Sequence, residues 1–182
     1  MLLKLLTAIL LSYFLGSLTA AYYVTKWMIG KDIRKLGSGN AGAKNAGRHL
    51  GKKGFLYTLL LDMAKVIVAL TITTIFFPEN KIMLLISAFF LLVGHIWPMQ
   101  LGFKGGKGVV VFLASTLFLV PIAIPVLGIC FGTGYLFTRN FTMAGLISMA
   151  SIPITAWIMG ESYFAIGLFI LLLILVHQHI KK

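Results

Sequence analysis

Apolar runs of membrane-crossing length decide most of what this 182-residue chain can become. A helix needs about 20 mainly apolar residues to cross a hydrocarbon core of about 30 Å. Such runs lie near 3–25, 55–77, 82–101, 141–159 and 161–177. Polar breaks fall at Pro78-Glu79-Asn80-Lys81 and Gly160-Glu161-Ser162, and Trp27 and Trp157 stand where interface anchors are expected. The stretch 109–137 would be about 44 Å long as one helix at about 1.5 Å per residue, long for one crossing and short for two. Pro121 and Pro125 interrupt it, which predicts two short or broken helices. Hydrophobic residues make up 59% of the chain and charged ones 11%, against about 25% charged in soluble domains. A water-soluble fold of this size cannot bury so much apolar surface, and disorder needs low hydrophobicity. The chain therefore reads as an all-α integral membrane protein.

Charge sets the expected topology. The net charge of +12 could suggest a nucleic-acid partner, but the basic residues sit between spans, so none is expected. Eight basic residues between Lys26 and Lys53 place the loop 26–54 in the cytoplasm. Alternation then sets 78–81 outside and Lys104 and Lys107 inside. Arg139 also belongs inside, which requires an even number of crossings within 109–137. The expectation is about seven transmembrane helices, N-terminus outside and C-terminus, with Lys181 and Lys182, in the cytoplasm; five spans are the alternative if 109–137 only re-enters. Lys4 and Lys81 fall outside, Lys65 lies within a span, and the outer half is almost purely apolar. The run from Leu2 to Val24 is longer than a signal-peptide core and is followed directly by basic residues, so it reads as a retained first span rather than a leader cleaved near Ala20 or Ala21. Cys130 has no partner and reads as a small apolar residue. Residues 1–182 read as a single polytopic domain.

Four polar constellations then meet at the cytoplasmic face. The first runs from Gly37 to Arg48, GSGNAGAKNAGR. Gly37, Gly39 and Gly42 formally match G-x-G-x-x-G, but a membrane span precedes them rather than a strand, which removes the dinucleotide reading. Closely spaced glycines still let backbone N–H groups converge on an anion. Ser38, Asn40 and Asn45 add neutral donors, and Lys44 and Arg48 add charge, so phosphate binding is expected here. The second runs from Gly94 to Gly108, GHIWPMQLGFKGGKG. It is not a P-loop, because Lys107 is followed by Gly108. It carries Lys104, Gly105, Gly106 and Lys107 at the interface, and His95 as a candidate base or phosphate donor. The third is Asp62 and Lys65, one helical turn apart within a span and expected to pair. The fourth joins the corner Thr138–Thr142 with His177-Gln178-His179. No metal site is expected, because the four acids are scattered, and no serine or cysteine stands in a nucleophile motif. Any catalysis would work without a cofactor, by positioning and charge stabilisation.

GSGNAGAKNAGR at 37–48 and GHIWPMQLGFKGGKGV at 94–109 resemble the first two motifs of the bacterial acyl-phosphate:glycerol-3-phosphate acyltransferase family. Asp62-Met63-Ala64-Lys65 resembles the D-x-x-K of that family's second span. The resemblance implies an acyltransferase of phospholipid synthesis in the bacterial cytoplasmic membrane, with its active site on the cytoplasmic face. It would move a fatty acyl group from acyl phosphate to the sn-1 hydroxyl of glycerol 3-phosphate, giving lysophosphatidic acid and phosphate. A functional link to an acyl-phosphate-producing enzyme follows, as does contact with membrane lipids. Carried over by position, Gly37, Ser38, Gly39, Asn40, Asn45 and Arg48 would line the phosphate site with Lys104, Gly105, Gly106, Lys107 and Thr142. Ser38, His95, Lys107 and His177 would serve catalysis, and Asp62 and Lys65 would support the site as an ion pair. His95, His177 and a substrate phosphate oxygen are all candidates for the base. Ala41 and Lys44 stand where the family usually has Pro and Thr, and Thr142 where serine is typical. The C-terminal motif is reduced to HQHIKK. A weakened paralogue that binds lipid phosphate and a transporter of a phosphorylated anion are the alternatives weighed.

Overall fold

A computed structural model describes residues 2–180. They form nine α-helices and no strand: α1 Leu2–Ser17, α2 Ala20–Ile29, α3 Ala43–Phe76, α4 Lys81–Ile96, α5 Val109–Leu119, α6 Ala123–Thr138, α7 Phe141–Ser148, α8 Ser151–Ile158 and α9 Ser162–Ile180. Five segments are long and apolar enough to cross a bilayer: Leu2–Ile29, Ala43–Phe76, Lys81–Leu101, Phe141–Ile158 and Ser162–Ile180. Two shorter apolar helices, Val109–Leu119 and Ala123–Thr138, fill the stretch whose length fitted neither one crossing nor two. The protein is a multi-pass membrane protein whose large apolar side chains, Leu3, Phe137 and Ile158 among them, face outward.

Two of the expected spans are broken helices. The first separates at Leu18-Thr19, where Thr19 is extended with ψ 99°, and 141–159 bends at Met149-Ala150. Pro121 precedes α6, but Pro125 breaks nothing: it sits in the first turn of α6, where the missing N–H has no intrahelical acceptor to lose. The loop 26–54 also contains more helix than its glycines suggest. From Ala43 the chain is already helical, because Ala43 and Ala46 bury one face of a short amphipathic turn. That helix bends at Gly51 (φ 67°, ψ −163°) before entering the membrane-spanning part of α3, a backbone region that only glycine occupies readily.

The main core is built by Val66 and Leu70 of α3, Leu91 and Leu92 of α4, Phe112 of α5, Ile152 of α8 and Leu168 of α9. A second, small cluster of Ala21, Ile33, Ala41 and Ala46 lies beneath the first glycine motif and gives it a floor. Polar groups are not confined to one end, as the composition suggested. Ser12, Thr73 and Ser87 form a buried hydroxyl cluster joining α1, α3 and α4, with Ser87 Oγ 2.5 Å from Ser12 Oγ and 2.7 Å from Thr73 Oγ1. Contacts between loops agree with the expected alternation. Lys81 Nζ pairs with Glu161 Oε2 at 2.6 Å, bringing 78–81 and 160–162 to one end. Arg34 reaches Leu101 O at 2.5 Å, and Lys44 Nζ lies 5.4 Å from the Phe141 ring centre, bringing the other loops to the opposite end. Lys181 and Lys182, expected at that end, lie outside the described residues.

The helices α1 and α4 approach through Gly16 and Gly94. A Cβ on Gly94 would overlap the Tyr13 carbonyl, and one on Gly16 the Leu91 backbone. Small residues at such a crossing replace the hydrophobic drive that lipid cannot supply. Gly94→Val is therefore expected to cost about 3 kcal/mol, as severe overpacking does, read as an earlier thermal unfolding in detergent than the unchanged protein shows.

Candidate active site

The break between α1 and α2 organises everything near it. The last carbonyls of α1 and the first N–H groups of α2 lack helical partners, and α3 and the turn after α4 supply them. Lys65 Nζ donates to Gly16 O at 2.9 Å and to Leu18 O at 3.0 Å. Gln100 Nε2 donates to Ser17 O at 2.6 Å. Asp62 Oδ1 accepts from the Ala20 N–H at 3.4 Å and pairs with Lys65 Nζ at 2.8 Å. A cation thus sits on a helix C-terminus and an anion on a helix N-terminus, matching both dipoles. His95 completes the group: its Nδ1 lies 2.9 Å from Lys65 Nζ and 3.6 Å from Asp62 Oδ1. All three side chains are buried, Asp62 at 1%, His95 at 3% and Lys65 at 7% exposure.

The first glycine motif is a turn wrapped around Asn45. Asn45 Nδ2 donates to Leu36 O (2.9 Å), Asn40 O (3.1 Å) and Ile33 O (3.4 Å), while its Oδ1 accepts from the Ser38 N–H at 3.2 Å. Asn45 was expected among the phosphate donors, yet its amide hydrogens are spent on the turn itself. Gly37 (φ 53°) and Gly39 (φ 71°) take left-handed conformations that let the chain circle it. Gly37, Ser38 and Gly39 stand exposed at the rim with Lys44 and Arg48, and Asn40 is half-buried.

The second motif folds back onto the end of α4. The N–H groups of Gly105 and Gly106 donate to Ile96 O and His95 O, each at 3.0 Å. A Cβ on Gly106 would strike both His95 Nε2 and Ala41 O, so the two glycine motifs meet over the imidazole. Lys104 is exposed and Lys107 half-buried beside them. A clamp missed in the sequence ties the motifs together. Arg34 holds Asp32 through Nε (3.0 Å to Oδ1) and Nη2 (2.7 Å to Oδ2), and donates to Leu101 O from Nη1. No spacing rule links Arg34 to Leu101.

The remaining expected residues lie on α7 and α9. Thr142 is exposed at the start of α7, its N–H capped by Asn140 Oδ1 at 3.1 Å, and the Lys44–Phe141 contact brings that corner toward the first motif. His177 is exposed in the last part of α9. Its neighbour His179 is half-buried, with Nδ1 2.9 Å from Leu175 O. Among the described residues no group of three His, Cys, Asp or Glu side chains gathers as metal ligands would. The arrangement offers glycine-supported backbone turns, a serine hydroxyl and several cations around one buried imidazole. That is chemistry for holding an anion.

Comparison with known proteins agrees. A family model described as glycerol-3-phosphate acyltransferase matches residues 6–182. "Glycerol-3-phosphate acyltransferase 1" of Desulfitobacterium hafniense (strain Y51) is 37% identical over 175 residues, covering 96% of this chain and 86% of the relative. Its namesake in Dehalococcoides mccartyi is 33% identical over 174 residues, covering 93% and 84%. The crystal structure of PlsY (YgiH), an integral membrane glycerol 3-phosphate acyltransferase in its glycerol 3-phosphate form, superposes with a TM-score of 0.86 at 26% identity, covering 97% of this chain and 88% of that one. Its lysophosphatidic acid form shares the fold, with a TM-score of 0.84 at 24% identity.

The Asp32–Arg34 clamp makes loop order depend on pH. The Arg34 guanidinium holds the Asp32 carboxyl below its ordinary value, and Asp32 in turn raises Arg34. A depressed carboxylate stabilises the fold in full above its unfolded value of about 3.9. That contribution disappears as pH falls through the lowered folded value. Hydrogen exchange over residues 31–36 should therefore match at pH 5 and pH 7, after correction for intrinsic rates, and quicken below pH 4. Asp32→Asn should show the quicker exchange already at pH 7.

Proposed function

The chain belongs to the glycerol-3-phosphate acyltransferase family, and from that premise we propose that it acylates the sn-1 hydroxyl of glycerol 3-phosphate with acyl phosphate as direct donor. Lysophosphatidic acid and inorganic phosphate leave, and neither coenzyme A nor acyl carrier protein takes part. The observation that carries the reading is the meeting of two glycine motifs, rimmed by Arg48, Lys104 and Lys107, at one end of a membrane bundle. A phosphorylated head group enters there from water while an acyl chain stays in lipid.

The motifs divide the work. Ser38, Asn40 and the backbone of Gly37 and Gly39 offer hydrogen bonds to phosphate, and Arg48 offers a bidentate fork. Lys104 and Lys107, steadied by Gly105 and Gly106, neutralise the charge that gathers when the hydroxyl attacks the acyl carbonyl. Thr142 adds a hydroxyl from the α7 corner. Asn45 shapes the turn, and Asp62 with Lys65 supports the site from below. Acyl phosphate is already activated, so no covalent enzyme intermediate is needed. The hydroxyl proton goes to His95, to His177 or to a substrate phosphate oxygen. Residues 1–182 act as one domain in the bacterial cytoplasmic membrane, N-terminus outside, C-terminus and active site on the cytoplasmic face. The donor comes from a separate enzyme that makes acyl phosphate.

Purified protein in detergent, given palmitoyl phosphate and labelled glycerol 3-phosphate, should form lysophosphatidic acid without added coenzyme A, carrier protein or metal. Arg48→Ala and Lys107→Ala should each lower kcat/KM at least about 100-fold, as loss of one charge-stabilising donor does. A purified, folded double variant with near-normal turnover would remove both residues from the site.

A further inference from the structure

The buried cluster beneath the glycine motifs specifies the protonation of one of its own members. Four acceptors converge on Lys65 Nζ: Gly16 O, Leu18 O, Asp62 Oδ1 and His95 Nδ1, all between 2.8 and 3.0 Å. An ammonium group has three hydrogens and no lone pair, so none of the four can donate to it, and one hydrogen is shared between two of them. His95 Nδ1 therefore cannot carry a proton while it faces Lys65, and a neutral imidazole so held carries its hydrogen on Nε2. Charge points the same way. Asp62 and Lys65 cancel, and an imidazolium beside them would leave an uncompensated positive charge at a site where all three side chains are buried. Among the described residues, the charged side chains that meet His95 are those two, both on α3; the second motif faces the ring with glycine.

We infer that the Asp62–Lys65 pair locks His95 as the Nε2–H tautomer, making it a hydrogen-bond donor to an anionic substrate oxygen rather than the base of the reaction. The ring is aimed for that role. Its Nε2 lies against Gly106, at the seam where the two glycine motifs meet, and any side chain at 106 would run into both that nitrogen and the Ala41 carbonyl. Glycine there keeps the donor uncovered between two turns that gather an anion. No proton moves in this step: the Nε2–H bond stays intact while the phosphate or developing oxyanion accepts it. Asp62 and Lys65 act through His95 and through the helix break, as positioning residues. This assignment rests on the acyltransferase reading for its substrate, but the tautomer itself does not.

Two measurements test it, and they fail separately. The first is 15N NMR of histidine-labelled protein in micelles, with the His95 signal identified by its loss in His95→Gln. A neutral ring protonated on Nε2 and constant from pH 6 to pH 8 is expected; an Nδ1–H ring, or one that titrates across that range, overturns the proposal. The second is acyl transfer with palmitoyl phosphate and glycerol 3-phosphate. Glutamine places an amide N–H near the position of Nε2 and cannot act as a base. His95→Gln should keep kcat within about tenfold of the unchanged enzyme with a pH profile of the same shape, whereas His95→Ala should lose about 100-fold or more. If folded His95→Gln is as inactive as His95→Ala, His95 is the base and the donor role is wrong. If the unchanged protein forms no product, the acyltransferase reading fails, while the NMR result still decides the tautomer. Lys65→Met, where it folds, should mix the two tautomers, a change that a merely structural lysine would not produce.

Discussion

A helix broken among apolar spans must have its loose ends caught, and that requirement shapes this protein. The carbonyls of Gly16, Ser17 and Leu18 and the N–H of Ala20 have no partners within α1 and α2, and lipid offers none. Lys65, Asp62 and Gln100 take them up. The two charges that would be costly alone in a bilayer are paired with each other and with helix ends of opposite sign. The break in α1–α2, the position of α3 and the end of α4 are thus one arrangement. Remove the pair, and three backbone groups, Gly16 O, Leu18 O and the Ala20 N–H, lose their partners together.

The site grows from that arrangement. His95 stands on Lys65, Gly105 and Gly106 hang from the carbonyls at the end of α4, and the first motif closes over them with Ala41. Asn45 and the small cluster of Ala21, Ile33, Ala41 and Ala46 keep that first turn rigid. Arg34 then binds across to Leu101. Cations and hydroxyls at the rim are left for the ligand, while the groups beneath are spent on holding shape. This separation suits catalysis by preorganised charge, in which donors must not need rearranging when charge develops.

Sequence periodicity and charge were enough for the helical membrane class, for most span positions and for the pairing of Asp62 with Lys65, because span length and i,i+3 spacing are local properties. The meeting of the two glycine motifs was legible only as a consequence of topology. Other features depend on contacts between distant segments and leave no local mark. The division of the first span at Leu18-Thr19 has no proline and only one glycine nearby, and its cause lies on another helix. Asn45 looked like a ligand donor because nothing local says that its amide closes a turn. Arg34 lay unremarked in a basic loop, since its acceptor is a main-chain oxygen 67 residues away.

The central claim is that Asp62 and Lys65 hold the broken helix, and through it the site, as a coupled pair. A double-mutant cycle on unfolding in detergent, with Asp62→Asn, Lys65→Met and the two combined, tests it most directly. Each single change should cost about 3–5 kcal/mol, because it strands a buried charge. The double variant should fall short of the sum by on the order of 1–3 kcal/mol. Small, additive losses would mean that the ends of α1 and α2 are held by something else, and the account would be wrong at its base.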